Sequence, residues 1–172
     1  MVAGLPPVSL EDKYRFRDGR VFMSGVQALV RVSGAGSVWD VRGGPDDGGV
    51  ASIIVGYGSG AAANTQTDIQ ILDGGRIHLH ADPTHAAQLN LGLHGGLHSL
   101  RISGAGSTLS YADTGNAGMW IGRNGAMASV ALSEGGQIQG INRLQVGNTG
   151  AIGRLSVLGA ASGIVYGDYF AD

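Results

Sequence analysis

The residue types in this sequence best suited to chemistry are its five histidines, together with scattered carboxylates and arginines. His78 and His80 are separated by one residue, so on a strand they share a face, while His94 and His98 follow in the next stretch. Neutral imidazoles about 7 Å apart along a strand can share a metal ion when their rotamers converge. No carboxylate recurs at a fixed spacing around them, so the expectation is an outward-facing polar ladder that holds no metal. Calcium is not indicated either. The glycine- and aspartate-bearing nonapeptide of calcium-binding β-rolls is absent, and Asp46, Asp47, Asp73 and Asp82 read as solvated turn residues. For proton transfer the candidates are Asp68, Arg76, Asp82, Arg101 and Asp113, which coiling of the chain could gather on one face. Their positions do not coincide when the sequence is aligned on itself, so no catalytic residue is assigned. Gly56-x-Gly58-x-Gly60 imitates a phosphate loop without the helix pattern that must follow one, and there is no G-x-S-x-G elbow. No catalytic, cofactor-binding or metal-binding residue is therefore expected.

The elements that would position any of these residues are written as a repeat. A stretch of 21 residues recurs three times without a gap, as NLGLHGGLHSLRISGAGSTLS from Asn90, WIGRNGAMASVALSEGGQIQG from Trp120 and QVGNTGAIGRLSVLGAASGIV from Gln145. Each copy opens with an apolar residue and a Gly, has a second Gly three residues on, and continues with apolar residues in a strand-like spacing. These are Leu97, Leu100 and Ile102, then Met127, Val130 and Leu132, then Ile152, Leu155 and Val157. Pairs such as Leu100 and Ile102 point to one face because strand side chains alternate with period two. Glycines at both ends mark bends, since each would destabilise a helix interior by roughly 1 kcal/mol. Repetition on this scale signals a solenoid, in which Leu100, Val130 and Leu155 form one inward column and Ile102, Leu132 and Val157 the next.

Composition agrees. Hydrophobic residues make up 43% of the 172, aromatic residues only 6%, and Gly numbers 32. Small and aliphatic side chains suit a narrow core in which equivalent positions stack about 4.8 Å apart. A formal charge of −2 without a basic run argues against nucleic acid as a partner. The absence of Cys removes disulfides, thiolate metal sites and iron–sulfur ligation. No apolar run reaches the roughly 20 residues of a spanning helix, and Met1 to Pro7 lack the features of an export signal, so neither membrane insertion nor export by this chain alone is expected.

Residues 1–29 stand outside the repeat. The run LEDKYRFRDGRVFMSGVQALVR within residues 8–31 resembles the extreme N-terminus of bacterial indolepyruvate ferredoxin oxidoreductases. That resemblance implies thiamine diphosphate and cysteine-ligated clusters. The chain has no Cys and the similarity stops near Arg31, so the enzyme's activity and cofactors are not carried over. From Val30 the sequence VRVSGAGS matches Leu100 to Ser107, which places the join near Val30 and makes the preceding residues either a cap over the first coil or a fused segment.

The repeat itself resembles a second family. The pairs Val55-Gly56, Leu91-Gly92, Ile121-Gly122 and Val146-Gly147 alternate with Val32-Ser33-Gly34-Ala35-Gly36-Ser37-Val38-Trp39 and Ile102-Ser103-Gly104-Ala105-Gly106-Ser107. This pattern is similar to the passenger regions of bacterial autotransporters. The resemblance implies an all-β, right-handed parallel β-helix (β-solenoid) of about four to five coils over residues 30–166, with 167–172 as a tail. It also implies display at the cell surface or secretion as part of a longer protein, and a structural or adhesive role. Expected partners are host or matrix glycan and protein surfaces, with no cofactor and no catalysis. The alternative is a carbohydrate-active β-helix, a polysaccharide lyase or hydrolase, which needs convergent carboxylates on one face.

Overall fold

The computed structural model describes residues 20–23, 27–44, 48–57, 65–112 and 116–167. Residues 20–23 form β1 (Arg20–Met23), followed by β2 (Gln27–Ser33) and β3 (Val38–Arg42). The next strands are β4 (Ala51–Val55), β5 (Gln66–Leu72), β6 (Arg76–His80), β7 (Ala86–Leu91), β8 (Leu97–Ser103) and β9 (Thr108–Ala112). The chain continues through β10 (Asn116–Ile121), β11 (Met127–Ser133), β12 (Gln137–Ile141), β13 (Arg143–Val146), β14 (Ile152–Leu158) and β15 (Gly163–Tyr166). There is no helix among the described residues.

All pairing is parallel, and every strand pairs with the strand three places away. Sheet A has the order β1-β4-β7-β10-β13, sheet B β14-β11-β8-β5-β2 and sheet C β15-β12-β9-β6-β3. The chain thus visits three sheets in rotation, a β-solenoid-like path in which one pass through the three is a tier. Parallel pairing needs a crossover between partners, and here the other two strands of each tier supply it.

Two strands begin in the segment set apart by sequence. β1 pairs with β4 from Arg20 beside Ser52 to Met23 beside Val55, and β2 runs unbroken across Val30 while pairing with β5. The sequence boundary at Val30 therefore falls inside a strand. Residues 1–19 lie outside the described residues, and with them most of the segment expected to cap the stack.

The interior is filled by columns of like residues. In sheet B, Val30, Ile69, Leu100, Val130 and Leu155 lie in register, and Val32, Ile71, Ile102, Leu132 and Val157 form the neighbouring column. Ile69, Ile71, Leu100, Ile102, Val130 and Leu132 are all at most 1% exposed. Each such side chain contributes roughly 1.5–3 kcal/mol by burial. Val157 ends its column and is 44% exposed, because β14 has a neighbour on one side only. Sheets A and C add Ile53, Leu89 and Met119, and Ile77, Leu109 and Ile138, to the same core.

The bends between sheets B and C come in two alternating lengths. Long turns run from Ser33 to Ser37 and from Ser103 to Ser107, closed by hydrogen bonds from Ser37 N to Gly34 O and from Ser107 N to Gly104 O. Short turns run from Leu72 to Gly75 and from Ser133 to Gly136, closed by Gly75 N to Leu72 O and Gly136 N to Ser133 O, each at 2.9 Å. In the short turns Asp73 and Gly74 have φ of 55° and 86°, and Glu134 and Gly135 have 54° and 87°. Two successive left-handed residues make a tight reversal that favours Gly at the second place. The two kinds of turn interlock. Ser107 Oγ accepts from Gly74 N at 2.9 Å and donates to Ser103 O at 2.7 Å, and Ser162 Oγ accepts from Gly135 N at 3.0 Å. The second glycine of each short turn nests against the tier before it: a Cβ on Gly75 would overlap the Val32 carbonyl, and one on Gly136 the Ile102 carbonyl.

Candidate functional site

Two places on the surface gather chemically capable side chains. The first is on the outer face of sheet C. Register sets Asp40 of β3 beside His78 of β6 and Arg42 beside His80, while Trp39 and Val41 alternate to the other face with Ile77 and Leu79. Asp40 Oδ1 lies 3.3 Å from His80 Nε2, and its Oδ2 accepts from Arg42 Nε at 2.7 Å. The rings of His78 and His80 are 5.8 Å apart at 59°. One ligand atom from each of Asp40, His78 and His80 lies within 4.8 Å of the others. Burial holds the His78 imidazole below the usual histidine range, helped by His80, Arg76 and Arg42 and opposed by Asp40. The expected ladder of His78 and His80 is present on the outer face, and Asp40 stands beside it as a carboxylate partner.

The second place is a groove of about 810 Å³ over the start of the sheet B strands. Leu97, Met127 and Ile152 stack in register on its floor and are 42%, 45% and 49% exposed. Beside them run Asp68, Ser99, Ser129 and Arg154. The Asp68 carboxylate accepts from Ser99 Oγ and Gln70 Nε2. Asp68 is the one carboxylate among the described lining residues.

His98 departs from the outward ladder expected of the histidines. It is 3% exposed, lies in register with Thr67 and Ala128, and its Nε2 meets Gly95 O at 2.9 Å. Donation to that carbonyl fixes the Nε2-protonated tautomer and leaves a buried Nδ1 without a hydrogen-bond partner. The cause is period two: His98 has the parity of Leu100 and Ile102, so it points inward, whereas Leu97 has the opposite parity and points out. Burial lowers its pKa from 6.5, only partly offset by the Gly95 carbonyl. The unfolded chain therefore takes up a proton at a higher pH than the folded chain does. Stability is fully present above about pH 6.5 and is lost as pH falls toward the depressed folded value. Urea unfolding midpoints should decline on acidification below neutrality, and His98→Gln should flatten the decline. An unchanged slope in the variant contradicts this assignment.

The remaining candidates are dispersed. Arg76 is on sheet C, Arg101 is exposed on sheet B, and Asp82 sits in the turn before β7, where it accepts from Thr84 N at 3.1 Å and Thr84 Oγ1 at 3.0 Å. Those bonds hold the Asp82 carboxyl below the usual range. Asp73 accepts from Ser33 Oγ at 3.2 Å across two tiers, a turn residue as expected. His94 lies edge-on to Tyr57, with ring centroids 6.4 Å apart. Asp46, Asp47, Gly58, Gly60 and Asp113 lie outside the described residues. One aromatic feature had no signal in the repeat: Trp120 covers Gly118 on sheet A, with Arg123 and Arg143 at 5.9 and 5.7 Å from its ring centroid. Comparison with protein-family models, curated proteins and solved structures gives no match.

Proposed function

We propose that the chain is a structural and adhesive segment of a secreted bacterial surface protein of the autotransporter-passenger kind. In this reading it is a right-handed parallel β-helix of about four to five coils, displayed as part of a longer protein. The observation that supports it most is the set of in-register columns, in which aliphatic residues fill the inside of all three sheets while the outer faces change from tier to tier. A stack of this kind gives a rod whose unpaired strand edges are confined to its ends, and whose exterior varies without cost to the core. It holds a neighbouring domain away from a surface, or offers many weak contacts to glycan or protein.

The groove over sheet B favours a second reading, a carbohydrate-active enzyme. Glycoside hydrolysis uses a pair of carboxyl groups flanking the bond to be broken, and the described lining supplies Asp68 alone. The structural role is the better supported of the two. Its test is to display the protein at high density on beads and measure retention on immobilised glycans and matrix proteins, alongside turnover of uronic-acid polymers. Weak binding as single chains that strengthens sharply on the beads, without turnover, is the expected result. Turnover that disappears in Asp68→Asn or Asp82→Asn overturns it in favour of the enzyme.

A further inference from the structure

We propose that Asp40, His78 and His80 form a binding site for a borderline divalent transition-metal ion, with Zn²⁺ as the natural probe, and that the bound ion clamps β3 to β6 across two successive tiers. This departs from the sequence-based expectation of no metal, and Asp40 is the reason. Two imidazoles and one carboxylate are a donor set suited to zinc, cobalt, nickel or copper and poorly suited to calcium or magnesium, which prefer oxygen throughout. The three ligand atoms already lie within 4.8 Å of one another. Zinc bonds of about 2.0–2.1 Å bring tetrahedral ligands to about 3.3 Å apart, so closure needs side-chain rotation and no movement of the strands.

Rotation is available at the surface, where the His80 and Asp40 side chains are 26% and 34% exposed. The backbone supplies the order. Register fixes Asp40 beside His78, and the alternation of β6 puts His80 on the same face two residues on. Arg42 plays two opposed parts. Its hydrogen bond to Oδ2 orients the carboxylate and leaves Oδ1 turned toward His80, as outer partners of metal ligands do. Its charge also opposes a cation, which keeps affinity below that of a buried structural zinc site. A fourth ligand position is left for water.

The experiment is titration of the purified, tag-free protein with Zn²⁺ against a chromophoric competitor, with thermal unfolding followed in parallel. One saturable Zn²⁺ per chain is expected, with a concentration-dependent rise in Tm. Asp40→Asn, His78→Gln and His80→Gln should each weaken binding at least about tenfold and abolish the Tm rise, whereas His94→Gln should leave both unchanged. All these side chains are on outer faces or bends, and circular dichroism identifies any variant that has lost the fold. His80→Asn replaces His80→Gln if that one has. Absence of saturable uptake by the wild type, or uptake that survives all three ligand substitutions, overturns the proposal.

Discussion

Replacing Val130 by Asp should strip the fold of much of its stability. Val130 is 1% exposed in the middle of the sheet B column, between Leu100 and Leu155, with no described polar group in its column to receive a carboxylate. An ionised carboxylate at that position has neither water nor a counter-charge, and protonation to avoid the charge still leaves an unpaired polar group. The cost is on the order of 4 kcal/mol or more, enough to exhaust much of the stability of a small domain. The same change at Val157, in the neighbouring column of the same sheet but 44% exposed, should cost within about 1 kcal/mol. Urea midpoints of the two variants measure the difference directly. Equal losses would mean that the column is not the stabilising unit.

Gly136→Ala should also be damaging, for a steric reason. Gly136 has ordinary backbone angles and carries no left-handed strain, yet a Cβ there would overlap the Ile102 carbonyl of the preceding tier. The obstacle is backbone and cannot rotate away, so β8 and the short turn must separate. Overpacking of this kind costs about 1–3 kcal/mol, and the interlocked turns leave little slack to relieve it. Gly163 is the control, because a Cβ there meets nothing within 4 Å, and Gly163→Ala should fall within about 0.5 kcal/mol of the wild type. Thermal unfolding of the two variants tests the contrast, and a neutral Gly136→Ala would show that the tiers can slide apart at no cost.

The columns were legible because period two is a strict rule and the copies align without a gap through the sheet B strand; past the turn the register slips by one residue, with Gln137 beside Thr108. Leu100 with Ile102 and Val130 with Leu132 announce an inward face that the structure retains. The same rule, applied to parity, separates Leu97 from Leu100 and places His98 inside. Listing Leu97, Met127 and Ile152 in one strand-like run with the inward pairs obscured an apolar strip on the outside. Asp40 was harder to see. It is far from His78 along the chain, and only aligning the turn at Ser37 with the turn at Gly75 brings Asp40 and His78 to the same level. Residues 20–29 escaped the repeat for another reason: their letters resemble a different family, but parallel pairing depends on backbone hydrogen bonds and tolerates almost any strand-forming sequence.

The alternation of long and short turns sets the unit in which such a molecule can lengthen. Ser107 serves the short turn at Gly74, and Ser162 serves the one at Gly135, so each serine hydroxyl is matched to a turn of the other kind. A single tier copied in tandem would bring two turns of the same kind face to face. Two short turns would leave an amide hydrogen unserved, and two long ones would leave a hydroxyl with no amide to accept from. Gene duplication or excision in steps of two tiers preserves every pairing, whereas odd steps put the edge of the stack out of phase. The lineage of such a chain is therefore expected to count in pairs, and an engineered ruler built from it has a graduation of two tiers.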